Sequence, residues 1–245
     1  MREDIHLTEE ETLLLGNQAE NRSRIYMLLS TFYTQRPRKE FVEKLKKDEF
    51  VENLKIAILG DEGEMKEGLK NLELFVNSIK DISEMEVAKN LSVDFTRLFG
   101  GIKKGYGPPP PYESVWRSEG RIMGEWTEDV LREYYEAGIG IDLSDELPDS
   151  IGAEMKFMAL LSYHEAEAWR KNDVSNASRF LQMEQQFLNE HLLQWIPEFC
   201  IRMEEEAKSS FYKGIAIFTR EFIKLVIGSN EPLLLFFKNR GAFGS

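Results

Sequence analysis

The stretch Phe157-Met158-Ala159-Leu160-Leu161 decides the fold class, because five consecutive apolar residues leave no polar side on a helix. A helix that is apolar all round lies buried inside a protein. Asp149 or Ser150, shortly before it, can cap its first turn with a side-chain oxygen. The stretch therefore predicts a buried central helix.

Helical spacing of apolar residues continues on both sides of this stretch, whereas the alternation typical of strands is absent. Capping boxes at Thr8–Glu11 and Ser83–Glu86 predict two further helix starts. The apolar stripes are Ile25, Leu28, Leu29, Phe32 and Tyr33; Val51, Leu54 and Ile58; Leu69, Leu72, Phe75, Val76 and Ile79; Ala88, Leu91, Phe95, Leu98 and Phe99; Ile122, Trp126, Val130 and Tyr134; Phe180, Met183, Phe187, His191 and Trp195; and Phe211, Ile215, Phe218, Phe222 and Leu225. We expect an all-α fold, one helical bundle of about eight to eleven helices over residues 1–245, with a long proline-rich loop.

Charge and cysteine content exclude several classes of protein. The chain has 43 acidic and 31 basic residues and a net charge of −12, which disfavours nucleic acid as a partner. The single Cys200 excludes an internal disulfide. No apolar run reaches the roughly 20 residues that span a bilayer, and the charged N-terminus lacks a signal peptide. We expect a cytoplasmic protein without an integral membrane segment.

Residues that could carry catalysis are scarce. Neither His164 nor His191 has the glutamate three residues earlier that a di-iron bundle requires, and no phosphate-binding glycine loop is present. His191 falls on an apolar stripe, which favours a satisfied core residue, and Cys200 beside apolar neighbours favours a buried, inert thiol. We predict no catalytic residue, no metal and no cofactor.

An acidic segment from Glu125 to Asp149 has nine carboxylates against the single Arg132, a net charge of −8. It is either a solvated helix face with a polar loop or a docking surface for arginine or lysine, since carboxylates accept guanidinium bidentately. The carboxylates are Glu125, Glu128, Asp129, Glu133, Glu136, Asp142, Asp145, Glu146 and Asp149.

A rigid, aromatic-rich loop forms the third feature. Four consecutive prolines, Pro108 to Pro111, precede Tyr112, Val115 and Trp116 within an irregular stretch from Gly100 to about residue 118. Either the aromatic rings pack onto the helices, or they line a groove for an apolar peptide.

The order of four motifs resembles the TorD/DmsD/NarJ family of redox-enzyme maturation chaperones. The resemblance covers roughly residues 95 to 226, and the more N-terminal residues add only compatible helices. The motifs are Leu98-Phe99-Gly100 with Pro108-Pro109-Pro110-Pro111-Tyr112-Glu113-Ser114-Val115-Trp116; Glu119-Gly120-Arg121-Ile122-Met123-Gly124; Leu147-Pro148-Asp149-Ser150-Ile151-Gly152-Ala153-Glu154-Met155-Lys156-Phe157-Met158; and Phe187-Leu188, His191-Leu192 and Trp195-Ile196-Pro197.

The resemblance implies a cytoplasmic chaperone that does no chemistry. Such a protein binds the twin-arginine leader peptide, or the apo catalytic subunit, of a molybdopterin-containing (molybdenum) oxidoreductase until its cofactor is inserted. The family often has Asp-His where this chain has Asp149-Ser150, and Ser150 cannot carry a positive charge. The expected peptide-binding residues are Phe95, Leu98, Phe99, Tyr112, Glu113, Ser114, Trp116, Glu146, Pro148, Asp149 and Glu154.

Two alternatives come from other classes of protein. A helical, metal-dependent enzyme could use Asp142, Asp145, Glu146 and Asp149 as oxygen ligands, although their spacing matches no calcium loop. A scaffold subunit would bind a partner without leader specificity. We expect a monomer, with a domain-swapped dimer as the other possibility.

Overall fold

Helices account for nearly all regular structure in the computed structural model, which describes residues 7–47, 49–57, 65–100, 107–117, 122–140 and 146–239. The all-α fold class is confirmed, and within these ranges the only β feature is an isolated bridge between Tyr112 and Ser150. The helices are α1 (Glu9–Thr34), α2 (Lys39–Leu45), α3 (Glu49–Ala57), α4 (Lys66–Ser78), α5 (Glu84–Phe99), α6 (Glu113–Arg117), α7 (Glu125–Ala137), α8 (Ile151–Arg170), α9 (Val174–Phe187), a π turn (Leu188–Leu192), α10 (Leu193–Glu206) and α11 (Ser210–Asn239).

Helix α8 is the buried central helix that the sequence predicts. Phe157, Met158 and Leu161 are almost fully buried, whereas Leu160 is half-buried at a groove. Ser150 caps the helix, since its Oγ accepts a hydrogen bond from the amide of Ala153 at 3.1 Å.

Helix α1 packs along α8 over most of its length. Near its C-terminal end, the Ser30 hydroxyl donates to the carbonyl of Gly152 at 2.8 Å. Near its middle, buried Arg22 pairs with Glu165 of α8 and with Glu184 of α9, the latter at 3.1 Å. Because one guanidinium serves two buried carboxylates, this ion cluster links three helices.

Helices α4 and α11 approach closely at two glycines. A Cβ on Gly68 would lie 2.9 Å from the backbone nitrogen of Phe218, and one on Gly214 would lie 2.9 Å from the carbonyl oxygen of Gly68. Because neighbouring backbone would block these methyl groups, glycine is required at this crossing.

Three local features differ from the sequence-based expectation. Helix α2 was not predicted. Only Val42 and Leu45 of its seven residues are buried, and two apolar positions are too few to show a helical repeat in the sequence. Helix α6 lies inside the stretch predicted to be irregular, and α7 begins at Glu125, so Ile122 is exposed outside it.

The predicted helical residue Ile58 lies outside the described residues. None of the described helices has the length and apolarity that a membrane crossing requires.

Candidate peptide-binding site

The proline-rich loop is fastened to the start of α8. Tyr112 and Ser150 form the antiparallel bridge, and the amide of Glu113 donates to the carbonyl of Asp149 at 2.8 Å. The amide of Ser114 donates to Oδ2 of Asp149 at 3.0 Å. Asp149 therefore holds the first turn of α6 through both its backbone and its side chain.

A buried ion-pair network continues from α6 to the π turn and α7. Glu113 is fully buried, and its Oε2 lies 2.8 Å from Nδ1 of His191, whose Nε2 lies 3.2 Å from Oε1 of Glu133. Burial alone would lower the pKa of His191, but the hydrogen bonds to Glu113 and Glu133 outweigh it and raise that pKa to about 9. His191 is therefore a buried cation between two carboxylates near neutral pH.

The π turn brings His191 to this position. Its ring stacks on Phe187 of the preceding helix, with ring centroids 4.6 Å apart. Arg117 reaches the same turn from α6, donating to the carbonyl of Glu190 at 2.7 Å and pairing with Glu113. Such π turns occur often at functional sites, and here side chains of α6 contact the turn.

A second buried carboxylate lies beneath the loop. Oε2 of Glu154 accepts a hydrogen bond from the indole nitrogen of Trp195 at 3.1 Å. Burial raises the pKa of Glu154 well above its ordinary value, and the nearby Glu113 and Asp149 raise it further. The Glu154 carboxyl therefore holds a proton more readily than an ordinary glutamate.

Aromatic rings from α5 and the loop converge on Phe199 of α10. The ring of Trp116 meets Phe199 edge-on at 5.6 Å, and Phe99 lies 6.4 Å from the same ring. The indole nitrogen of Trp116 donates to the carbonyl of Pro110 at 3.1 Å, which fixes the ring against its own loop. Phe95 lies 4.9 Å from Phe99. Phe95, Phe99 and Trp116 are half-buried, so each packs onto the core and retains some exposed surface, whereas Phe199 is fully buried.

The acidic segment divides between the surface and the interior. Glu125, Glu128 and Glu136 of α7 are exposed at helical spacing, with Tyr135, which is 76% exposed, beside Glu136. Glu133 instead turns toward His191. Helix α7 therefore presents an acidic face to solvent and contributes one carboxylate to the buried network.

Comparison with known proteins identifies the family. The sequence model of the nitrate reductase delta subunit family matches residues 61–201, which is more than half of the chain. The chain belongs to the nitrate reductase delta subunit family. This confirms the resemblance seen in its motifs, because the NarJ and TorD proteins form this family.

Curated relatives agree with this assignment. The chain is 25% identical over 206 residues to the chaperone protein TorD of Vibrio cholerae serotype O1, covering 84% of this chain and 90% of the relative. It is 24% identical over 208 residues to TorD of Aliivibrio salmonicida, covering 84% and 93%, and 26% identical over 196 residues to TorD of Photobacterium profundum, covering 79% and 86%. These relatives are named chaperones, which supports the prediction of a protein that is not an enzyme.

The predicted peptide-binding residues of this family member fall into two groups by exposure. Their role in binding stays a prediction. The residues of the buried group are enclosed in the protein, and only those of the partly exposed group reach the surface. The buried group is Leu98, Glu113, Ser114, Asp149 and Glu154, and the partly exposed group is Phe95, Phe99, Tyr112, Trp116, Glu146 and Pro148.

The residues named for a metal-dependent enzyme do not all belong to the described structure. Asp142 and Asp145 lie outside it. In Asp149, Oδ2 accepts a hydrogen bond from the amide of Ser114, whereas Oδ1 has no hydrogen-bond partner among the described residues. Among the described residues, Glu133, Glu190 and His191 bring ligand atoms within 4.8 Å of one another. Both imidazole nitrogens already bind carboxylates, and the raised pKa keeps the ring protonated, so this group is an ion-pair network.

Sequence reasoning missed the partners of His191. Its apolar stripe correctly predicted a satisfied, buried residue, but no spacing indicates Glu113 or Glu133 as its partners. It also missed the stacking of the Arg117 guanidinium on Trp126 of α7, 3.4 Å from the ring centroid.

Cys200 is buried as predicted, and burial raises its pKa to about 12, so the thiol is inert.

Proposed function

We propose that this protein is a chaperone for the assembly of a molybdopterin-containing oxidoreductase, and that it binds the twin-arginine leader peptide of the catalytic subunit. The family assignment and the names of the relatives support the chaperone role. The observation that carries the proposal is the fastening of the Pro-Tyr-Glu-Ser-Val-Trp loop to Asp149, next to the acidic face of α7.

The acidic face suits the charged part of such a leader. A twin-arginine leader has two arginines followed by an apolar stretch, so a site that binds it needs carboxylates beside an apolar surface. Glu125, Glu128 and Glu136 provide exposed carboxylates on one side of α7, and carboxylates bind guanidinium groups bidentately. A field of like charge also accelerates the encounter with a basic segment.

The aromatic rings suit the apolar part of the leader. Arg117, directly after Trp116, stacks on Trp126 of α7, so the aromatic loop adjoins the acidic helix. Phe99 joins the same ring cluster through Phe199, and Phe95 packs on Phe99. The buried residues Glu113, Asp149 and His191 then serve by holding the loop in place.

A titration with leader peptides tests the proposal. The full chain is titrated at low salt with twin-arginine leaders from the molybdoenzymes of its own genome, and with matched twin-lysine and scrambled peptides. We expect one leader to bind tightly and its lysine version to bind less tightly, since lysine cannot form the bidentate contact. Equal binding of all versions would indicate a scaffold without leader specificity.

The catalytic subunit is the second ligand to test. If no leader binds but the apo subunit without its leader is captured, the chaperone role stands and the leader site does not. The serine at position 150, where the family often has histidine, would then be the first difference to examine.

A further inference from the structure

A groove separate from the aromatic loop runs along α1. Its larger part has a volume of about 790 Å³ and lies between the C-terminal end of α1, helix α2 and the start of α11, where Phe32, Phe41, Phe50 and Phe211 line it. Apolar cavities of this size are typical of binding sites.

The groove continues toward α8. A second part of about 590 Å³ shares Leu28 and Thr31 with the first and ends at Leu160 and Tyr163. Met27 in this part is 40% exposed and Tyr163 is 47% exposed, so apolar surface faces solvent. From Ser23 to Thr34 the wall formed by α1 is roughly 16 Å long, which is the length of three helical turns.

The rim of the groove is basic, although the protein is strongly acidic. Arg36, Arg38 and Lys44 line the larger part, and all three are exposed. Within the described ranges none of them has a carboxylate partner, whereas Lys46 pairs with Glu84 at 2.8 Å. Among the described residues that line this part, Glu40 is the one acidic residue. The rim is therefore positive on a chain whose net charge is −12.

We infer that this groove binds an acidic, amphipathic helical segment of the client's mature chain. Apolar side chains of such a helix fit between the aromatic rings, and its carboxylates face Arg36, Arg38 and Lys44. A twin-arginine leader carries the opposite charge and is disfavoured at this rim. The identity of the client rests on the proposed function, whereas the charge preference rests on the groove itself.

Peptide binding to charge-reversed variants tests the inference. The probe is a labelled helical peptide of about 15 residues with leucines at helical spacing and glutamates on the other face, beside versions with glutamine or lysine for glutamate. The variant Arg36→Glu/Arg38→Glu reverses the rim. The control Lys66→Glu/Lys70→Glu makes the same charge change at exposed residues of α4 that do not line the groove.

We expect the full chain to bind the glutamate peptide best and the rim variant to bind it about tenfold more weakly. The control should stay within about twofold of the original chain. Equal binding of the glutamate and glutamine peptides, or equal losses in both variants, would overturn the inference. Dimerisation that the rim variant abolishes would also overturn it, by making a second copy the occupant.

The same proteins separate this inference from the proposed function. If leaders bind and the acidic peptide does not, only the groove inference fails. If the acidic peptide binds and leaders do not, the proposed leader site fails and the groove inference stands.

Discussion

Nδ1 of His191 lies 2.8 Å from Oε2 of Glu113, although 78 residues separate the two in sequence. Through this contact the proline-rich loop is tied to the π turn, and through Glu133 to the acidic helix α7. Two of the segments by which the family is recognised thus meet at one buried ion pair. The pair of His191 and Glu113 therefore holds the loop together with the contacts of Asp149.

Replacing His191 by glutamine should change how stability depends on pH. The folded pKa of about 9 is raised above the ordinary 6.5, so the stabilisation is complete below pH 6.5 and is lost as pH rises through 9. The variant should lose about 2–3 kcal/mol of unfolding free energy at pH 6 and little at higher pH. Urea unfolding of both proteins at several pH values measures this. A constant difference across the range would contradict a protonated His191.

Replacing Glu165 by glutamine should affect a lower pH window. Burial and the nearby charge of Glu184 outweigh the lowering effect of Arg22 and raise the pKa of Glu165 from 4.5 to about 7. As pH rises, Glu165 loses its proton at a lower pH in the unfolded chain than in the folded one. The unfolding free energy should therefore fall by roughly 2 kcal/mol between pH 4.5 and 7. The glutamine variant should lack this decline and retain the one due to His191. The same urea series tests it, and an unchanged slope below pH 7 would argue against a protonated Glu165.

Trp116 provides a test of how the aromatic loop is held. Substitution by phenylalanine keeps a ring against Phe199 but removes the hydrogen bond to the Pro110 carbonyl, and should cost about 1 kcal/mol. Alanine also removes the ring, and should cost about 3 kcal/mol. Urea unfolding gives both values. An alanine variant as stable as the original would show that the ring is not a packing element.

Gly152 tests the close approach of α1 and α8. An alanine methyl there would overlap the Thr34 methyl group, so Gly152→Ala should destabilise the protein by about 2–3 kcal/mol. Adding Thr34→Ser should recover most of the loss, because serine lacks the methyl group that the new Cβ would overlap and keeps the hydroxyl that donates to the carbonyl of Ser30.

The control for this pair is Gly228→Ala in α11, where an added Cβ would meet no atom within 4 Å. It should be neutral or stabilising by about 0.5–1 kcal/mol. Thermal melts of the four proteins measure the comparison. Failure of Thr34→Ser to rescue would mean that another contact limits the approach.

Much of the fold could be predicted because long helices repeat their apolar spacing. Helix α8 was evident from Phe157 to Leu161, and the caps at Thr8 and Ser83 were placed correctly. Helices α2 and α6 were not predicted, because segments of seven and five residues are too short to show the helical repeat of apolar residues. The π turn also escaped, because residues 188–192 continue the helical stripe without a signal.

The site was predicted in part. The motifs located the loop and Asp149, but carboxylates are normally exposed, so sequence rules did not indicate that Glu113, Asp149 and Glu154 are buried. Their burial depends on partners distant in sequence, among them His191 and Trp195. Residue types and local spacing do not encode such pairings.

The most direct test of the central claim is a leader titration against a variant of the acidic face. Glu125, Glu128 and Glu136 are replaced together by glutamine, and the control replaces the exposed Asp81, Glu198 and Glu231 by their amides. Both variants lose three negative charges. Thermal melts confirm that each remains folded before binding is compared across salt concentrations.

The α7 variant should bind the twin-arginine leader about tenfold more weakly, with a shallower salt dependence, because the screened charge pairs are lost. The control should bind like the original chain. Unchanged affinity and salt dependence in the α7 variant, or the same loss in both variants, would contradict leader recognition by this face.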